Sequence, residues 1–275
     1  MRHFPKHAIG IYDNKEELIT LLRAYFIAAR HENRRILVLF HGEERDHFLN
    51  RLDSPALNLQ QGISEGWFFC DQACNAYAPT GKFSSSEMYD RINKAAMAAT
   101  SSGYAGLSIA GVMSWSHDMQ VAPEVLADYE YGLDPVFEKQ PELQGLCLYS
   151  RVEFDRQDIA LQCLCHPHVV TLTESINNPL SELKTRNNGH FDAKKNETAR
   201  YWGSVAALST PIERISGKRA AFAKMILEKM RIRVAEKFTE AVDLKSEDIN
   251  NSCALLKQID FLGQKIDYFN LIEKA

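Results

Sequence analysis

The stretch Tyr104-Ala-Gly-Leu-Ser-Ile-Ala-Gly-Val-Met-Ser-Trp115 decides how this chain is read. It follows a Gly103 turn, stays apolar through Leu107, Ile109 and Val112, and closes on an aromatic before the polar Ser116-His117-Asp118. A short continuous apolar run between turn signals suits a strand buried on both faces of a parallel sheet. Ligands of such sheets sit beyond the carboxyl ends of the strands, which puts Met113, Ser114 and Trp115 at a mouth. By pattern alone the commoner reading is a core strand that ends on a structural Trp.

Upstream, Ala8–Tyr12 reads as a first strand, and Asp13 or Asn14 caps a helix carrying Leu18, Leu21, Leu22, Tyr25, Phe26 and Ala29 at helical spacing. Ile36–Phe40 is a second buried strand, Glu43–Leu52 a helix, Asp53–Gly66 a loop-rich segment and Trp67–Cys70 a further strand. Asn75–Phe83 reads as a loop, and a serine among Ser84, Ser85 and Ser86 starts a helix that reaches about Thr100. Downstream, Pro123 opens a helix, Leu143–Tyr149 is a strand, Arg156–Cys165 a short helix and Val169–Leu172 a last strand. Strands alternating with helices predict an α/β domain with a mostly parallel sheet and helices on both faces.

The character changes after Asn177-Asn-Pro and Thr185-Arg-Asn-Asn-Gly189, which are turn and linker signals. Two long helices are expected over 191–238 and 246–272. Leu255, Ile259, Leu262, Ile266 and Phe269 recur at four-three-four-three spacing, a seam suited to helix-on-helix packing. Two domains are therefore expected, 1–182 and 192–275, the second a helical hairpin.

At 275 residues and 45% hydrophobic content, the chain is long enough for one large or two modest cores. A net charge of −4 argues against whole-surface binding to nucleic acid. No apolar run approaches bilayer length and the start carries no signal-peptide core, so a cytoplasmic location is expected. The six cysteines lack the spacing of a secreted disulfide framework. Cys163, Cys165 and His166 with Cys70 and Cys74 offer donor atoms for zinc, but neither pair has the usual CxxC-type loop, so no metal and no cofactor is expected.

Catalytic signatures are few. The turn after the first strand, Tyr12-Asp-Asn-Lys-Glu-Glu17, contains no glycine, and its two glutamates would repel a phosphate rather than cradle it. Ser216-Gly217-Lys218-Arg219 lies inside a helical pattern. There is no GxSxG elbow, and Cys147 and Cys165 sit in apolar strings. Glu130, flanked by Tyr129 and Tyr131, is the carboxylate of most interest, although a solvated helix residue is the commoner reading. Tyr12, Phe40, Trp115 and Tyr149 at strand ends suit an apolar pocket that captures a ligand. Arg214 to Lys237 forms a basic stripe that reads as a solvated helix face, with Phe222, Ile226, Met230, Val234 and Phe238 on the buried side.

Several of these pieces resemble one family in the right order: His7-Ala-Ile-Gly-Ile-Tyr-Asp-Asn-Lys-Glu-Glu-Leu18, Gly103–Trp115, Tyr129-Glu130, Leu146-Cys-Leu-Tyr149 and His166-Pro-His-Val169. They resemble the MEDS sensory domains over residues 7 to about 180. The resemblance implies a RecA-like α/β fold without a working phosphate loop, and a sensor of small ligands. It departs at Val112, where an acidic residue is expected. Ligand-binding residues implied on this basis are His7, Tyr12, Asn14, Trp115, Glu130, Tyr149 and His166.

Ala206-Ala-Leu-Ser-Thr-Pro-Ile212 and Ile266–Glu273 resemble the dimerisation and phosphoacceptor hairpin of histidine kinases. Ala206 occupies the phosphoacceptor position, and a methyl group carries no phosphoryl group. The expectation is a non-enzymatic signalling sensor, homodimeric through a pseudo-kinase hairpin, with a small-molecule ligand and a response regulator or histidine kinase as partner. An atypical nucleotide hydrolase, or a nucleic-acid-binding regulator using the basic helix, is the alternative.

Overall fold

Asn14 stops the first strand and starts the first helix: its side-chain oxygen accepts the Glu17 N–H at 3.0 Å, and Glu16 and Glu17 sit in the positive first turn. The computed structural model describes residues 6–166, 168–170, 175–177 and 220–228. In chain order its elements are β1 (His7–Tyr12), α1 (Lys15–His31), β2 (Arg35–Phe40), α2 (Arg45–Leu52), α3 (Leu59–Glu65), β3 (Phe68–Gln72), α4 (Ala73–Tyr77) and α5 (Ser85–Ser101). There follow β4 (Leu107–Val112), α6 (Trp115–Asp118), α7 (Pro123–Lys139), β5 (Leu143–Ser150), α8 (Arg156–Cys165), β6 (His168–Val170) and β7 (Ser175–Asn177).

The sheet order is β3-β2-β4-β5-β1-β6-β7, and the run from β3 to β1 is parallel throughout. The α/β architecture with a mostly parallel sheet is as the periodicity predicts. Alternation along each strand divides the core between two faces. Ala8, Ile36, Val38, Ala110, Val112, Leu146 and Leu148 pack with α1, α2 and α3, through Leu22, Phe26, Phe48 and Leu59 among others. The opposite face lies under α4 and α7. There Gly111 receives the Tyr77 hydroxyl and Gly145 receives the Phe137 ring, and a Cβ at either position would clash with them. β2 is thus followed by helices on one face and its neighbour β4 by helices on the other. In open α/β sheets, divergence of this kind marks the carboxyl ends of the strands as the place where ligands bind.

Four segments differ from the sequence reading, one of them at the far edge of the sheet, where the strand expected last is followed by β7. The strand expected over Tyr104–Trp115 is shorter, because Met113 and Ser114 turn the chain and Trp115 begins α6. The loop expected over 53–66 contains α3: Asn58, at φ 50, caps it by accepting the Gln61 N–H, and Gly66, at φ 73, ends it. The loop expected from Asn75 is preceded and partly occupied by α4, a single turn that buries Ala73 and Tyr77.

The chain divides into two compact units, Met1–Asp155 with Val169–Ser175, and Arg156–His168 with Ile176–Ala275. Described residues of the second include α8, where Leu161, Cys163 and Cys165 are buried, and the helical stretch 220–228. In that stretch Ala220, Ala223, Ile226 and Leu227 are buried while Lys224 and Glu228 are exposed, one apolar stripe at helical spacing. Ala206, the 192–275 hairpin apart from this stretch, and the seam Leu255, Ile259, Leu262, Ile266 and Phe269 lie outside the described residues. No helix among the described residues is long and apolar enough to cross a membrane.

Candidate functional site

α7 buries two carboxylates one turn apart, Glu130 and Asp134, on the side that faces the sheet. Carboxylates are almost never this buried unless they are partnered, and both are. The Tyr149 hydroxyl donates to Glu130 Oε1 at 2.7 Å, and the Cys147 thiol donates to Glu130 Oε2 at 3.1 Å. His7 Nδ1 lies 2.8 Å from Asp134 Oδ1, and its Nε2 lies 3.6 Å from Glu130 Oε2 and 3.7 Å from Cys147 Sγ. The His7 ring stacks on Phe137 at 4.8 Å.

The sheet register explains why these residues meet. His7 stands opposite Gly145, and Cys147 and Tyr149 follow at two-residue intervals on the same face of β5. Phe137 fills the space over Gly145, which sets α7 close enough for Glu130 to reach Cys147 and Tyr149. Burial and the neighbouring Glu130 carboxylate hold the Cys147 thiol well above its usual range, so at neutral pH it is a protonated donor.

Beside this network lies an aromatic group. Tyr77 stacks on Trp115 at 4.4 Å, Phe83 meets Trp115 at 5.1 Å and Tyr129 at 5.2 Å, and Tyr89 stacks on Tyr129 at 5.5 Å. Burial raises the Tyr77 and Tyr129 phenols, with Glu130 adding to both. Trp115 is fully buried, and its indole N–H has no hydrogen-bond partner among the described residues.

A third group occupies the carboxyl edge of the sheet. Ser114 donates to Glu153, and Tyr12 lies close enough to interact with Ser114, Ser150 and Glu153. Farther along the same edge, His41 after β2, Cys74 on α4 and Asp118 at the end of α6 cluster, with His41 Nε2 at 3.4 Å from Asp118 Oδ2. Among the described residues of the first unit, the residue types able to hold a metal are found in two places, around Glu130 and around His41.

His7, Glu130 and Tyr149 join one network, with Cys147 and Asp134 added to it. Trp115 belongs to the aromatic group next to it, and Tyr12 to the carboxyl edge. Asn14 is the cap of α1, and Asp13 beside it pairs with Arg151 at 3.1 Å. His166, in the second unit, is buried with Nδ1 at 2.8 Å from the Gln162 carbonyl oxygen. The apolar string around Cys147 reads as plain core, and nothing in the sequence reading singles out Asp134. The signal was present on α7, where Glu130 and Asp134 recur four apart on a face otherwise formed by Leu126, Ala127, Leu133 and Phe137.

Tyr12 gives this edge a measurable signature. Burial first, and Glu153 second, push its phenol up to about 12, against hydrogen bonds from Ser114 and Ser150 that lower it. Below pH 10 the phenol is neutral in both folded and unfolded chains. Between about pH 10 and 12 only the unfolded chain ionises, so stability is lost as pH rises through that window, by about 3 kcal/mol. Urea midpoints followed from pH 9 to about pH 12 should fall less steeply in Tyr12→Phe than in the parent. Parallel curves would place the phenol in solvent.

Residues 6–167 match the model of the MEDS family, described as the MEthanogen/methylotroph, DcmR Sensory domain. No curated protein matches the chain.

Proposed function

Because this chain belongs to the MEDS family of sensory domains, we propose that its α/β domain is the receptor of a cytoplasmic, non-enzymatic signalling protein. Membership of a sensory family is the observation that carries this reading. The ligand is a small molecule taken up at the carboxyl edge of β1, β4 and β5, where Tyr12, Ser114, Ser150 and Glu153 converge. The aromatic group around Trp115 and the network of His7, Glu130 and Tyr149 back that edge and hold its shape. The seat where a nucleotide-binding domain of this topology places phosphates is instead a capped helix start with Glu16 and Glu17 in its first turn, which supports a ligand other than a nucleotide.

Output passes through the helical hairpin expected over 192–275, which pairs two chains through Leu255, Ile259, Leu262, Ile266 and Phe269. With alanine at position 206 the hairpin docks a response regulator or a histidine kinase rather than relaying phosphate. Ligand and output are coupled only if the ligand prefers one of two conformations of the receptor. Native mass spectrometry of the purified full chain tests the reading. A dimer that retains a small organic molecule is the expected result, and a bare monomer would overturn it, as would turnover of ATP with magnesium.

A further inference from the structure

Three donor atoms under α7 form a triangle with the dimensions of a tetrahedral metal face. His7 Nε2 and Cys147 Sγ are 3.7 Å apart, Cys147 Sγ and Glu130 Oε2 3.1 Å, and His7 Nε2 and Glu130 Oε2 3.6 Å. A tetrahedral zinc ion bound at about 2.3 Å to sulfur and about 2.0–2.1 Å to nitrogen and oxygen spaces its ligands about 3.3–3.6 Å apart. The three measured edges bracket that range.

The groups behind the triangle are those a metal site requires. A ligating imidazole donates its other N–H to a carboxylate, which fixes the tautomer and makes the free nitrogen a better ligand. His7 does this through Nδ1 to Asp134 Oδ1 at 2.8 Å, leaving Nε2 turned to Cys147 and Glu130. The Phe137 ring stacked on His7 fixes the plane of the imidazole. The second oxygen of Glu130 is held by the Tyr149 hydroxyl at 2.7 Å, which leaves Oε2 directed to the triangle. All six side chains are fully or almost fully buried and come from three elements, β1, α7 and β5.

The geometry points to a site for one divalent transition ion of the zinc class, bound by His7 Nε2, Cys147 Sγ and Glu130 Oε2, with Asp134 and Tyr149 orienting the ligands. These side chains supply three of four tetrahedral positions. Nitrogen, thiolate and a single carboxylate favour zinc, cobalt or nickel over magnesium or calcium, which take oxygen ligands. On binding, the Cys147 S–H bond breaks, the sulfur keeps the electron pair and gives it to the metal, and the proton leaves to buffer. The ion sheds the water molecules that the three side chains replace. Bound in this way, the metal would tie α7 to β1 and β5, and it stands whether or not the sensor reading holds.

The test uses the full chain stripped with a chelator and titrated with cobalt(II). One cobalt per chain is expected, with a thiolate-to-cobalt charge-transfer band in the near ultraviolet and intense visible bands of tetrahedral cobalt. Cys147→Ser should lose the near-ultraviolet band, while Cys74→Ser, which removes the sulfur of the His41–Asp118 cluster, should keep it. Asp134→Asn should keep the band and weaken cobalt binding by roughly 10–100-fold. A folded wild-type chain with no charge-transfer band would overturn the proposal. So would a band that survives Cys147→Ser. Should Cys147→Ser fail to fold, His7→Gln decides the matter: cobalt affinity falls by more than the roughly 10–100-fold worth of an outer partner, and unchanged affinity overturns the site.

Discussion

Truncation of Trp115 to alanine is expected to cost about 3–5 kcal/mol of unfolding free energy, the range for removing a large aromatic from a packed core. The indole is fully buried, stacked on Tyr77 at 4.4 Å and edged by Phe83 at 5.1 Å, so its neighbours have no route by which to fill the space. Trp115→Phe should cost less than half as much. A six-membered ring keeps the stack, and the buried indole N–H that finds no partner among the described residues disappears with the substitution. Urea denaturation followed by far-ultraviolet circular dichroism measures both. A Trp115→Ala chain within about 1 kcal/mol of wild type would mean that the cavity collapses. In the folded variant, unchanged retention of a copurifying small molecule would also remove Trp115 from the ligand's surroundings.

Glu130→Ala should be destabilising on a similar scale for a different reason. It deletes the acceptor of the Tyr149 hydroxyl and of the Cys147 thiol, and each buried donor stripped of its acceptor costs about 1–3 kcal/mol. About 2–6 kcal/mol is therefore expected in total. Glu130→Gln should fall between Ala and wild type, since its amide oxygen can still accept from Tyr149 while its NH2 group meets the thiol as a second donor. Glu138, two turns along α7 and exposed, is the control: Glu138→Ala should stay within about 0.5 kcal/mol of wild type. Equal losses at positions 130 and 138 would count against the buried network. Because the same substitution removes a ligand of the proposed metal site, it should be measured in the metal-free chain.

The sheet was legible in the sequence because its strands are short apolar runs flanked by turns, and β1, β2, β4 and β5 fall where those runs are. What was hidden was local and small. α3 carries Gly62 and four polar residues in seven, so composition marks it as loop, yet Gly62 is the position where the Trp67 ring lies against the helix. The requirement for glycine there is tertiary, and no local pattern announces it. The network under α7 was hidden by distance along the chain: His7 and Cys147 are 140 residues apart, and Glu130 reaches them only because β1 pairs with β5 in the register His7↔Gly145. A metal-type motif read from spacing needs its donors on one loop or one helix, and these come from three separate elements. Trp115 shows the converse. Its place at the end of a strand was plain, but its burial came from α4, whose single turn carries Tyr77 onto it.

The turn after β1 has a bearing on what the cell can say to this protein. Asn14 already takes the Glu17 amide, the Glu17 carboxylate already takes the Asp13 amide at 2.8 Å, and Asp13 is clasped by Arg151. Two of the amides at this turn, those of Asp13 and Glu17, are therefore bonded within the chain, beside the carboxylates of Glu16 and Glu17. An anion brought to this turn would have to displace the chain's own hydrogen bonds and face the carboxylates of Glu16 and Glu17, so under the proposed sensor reading changes in cellular nucleotide levels should leave this end of the receptor untouched.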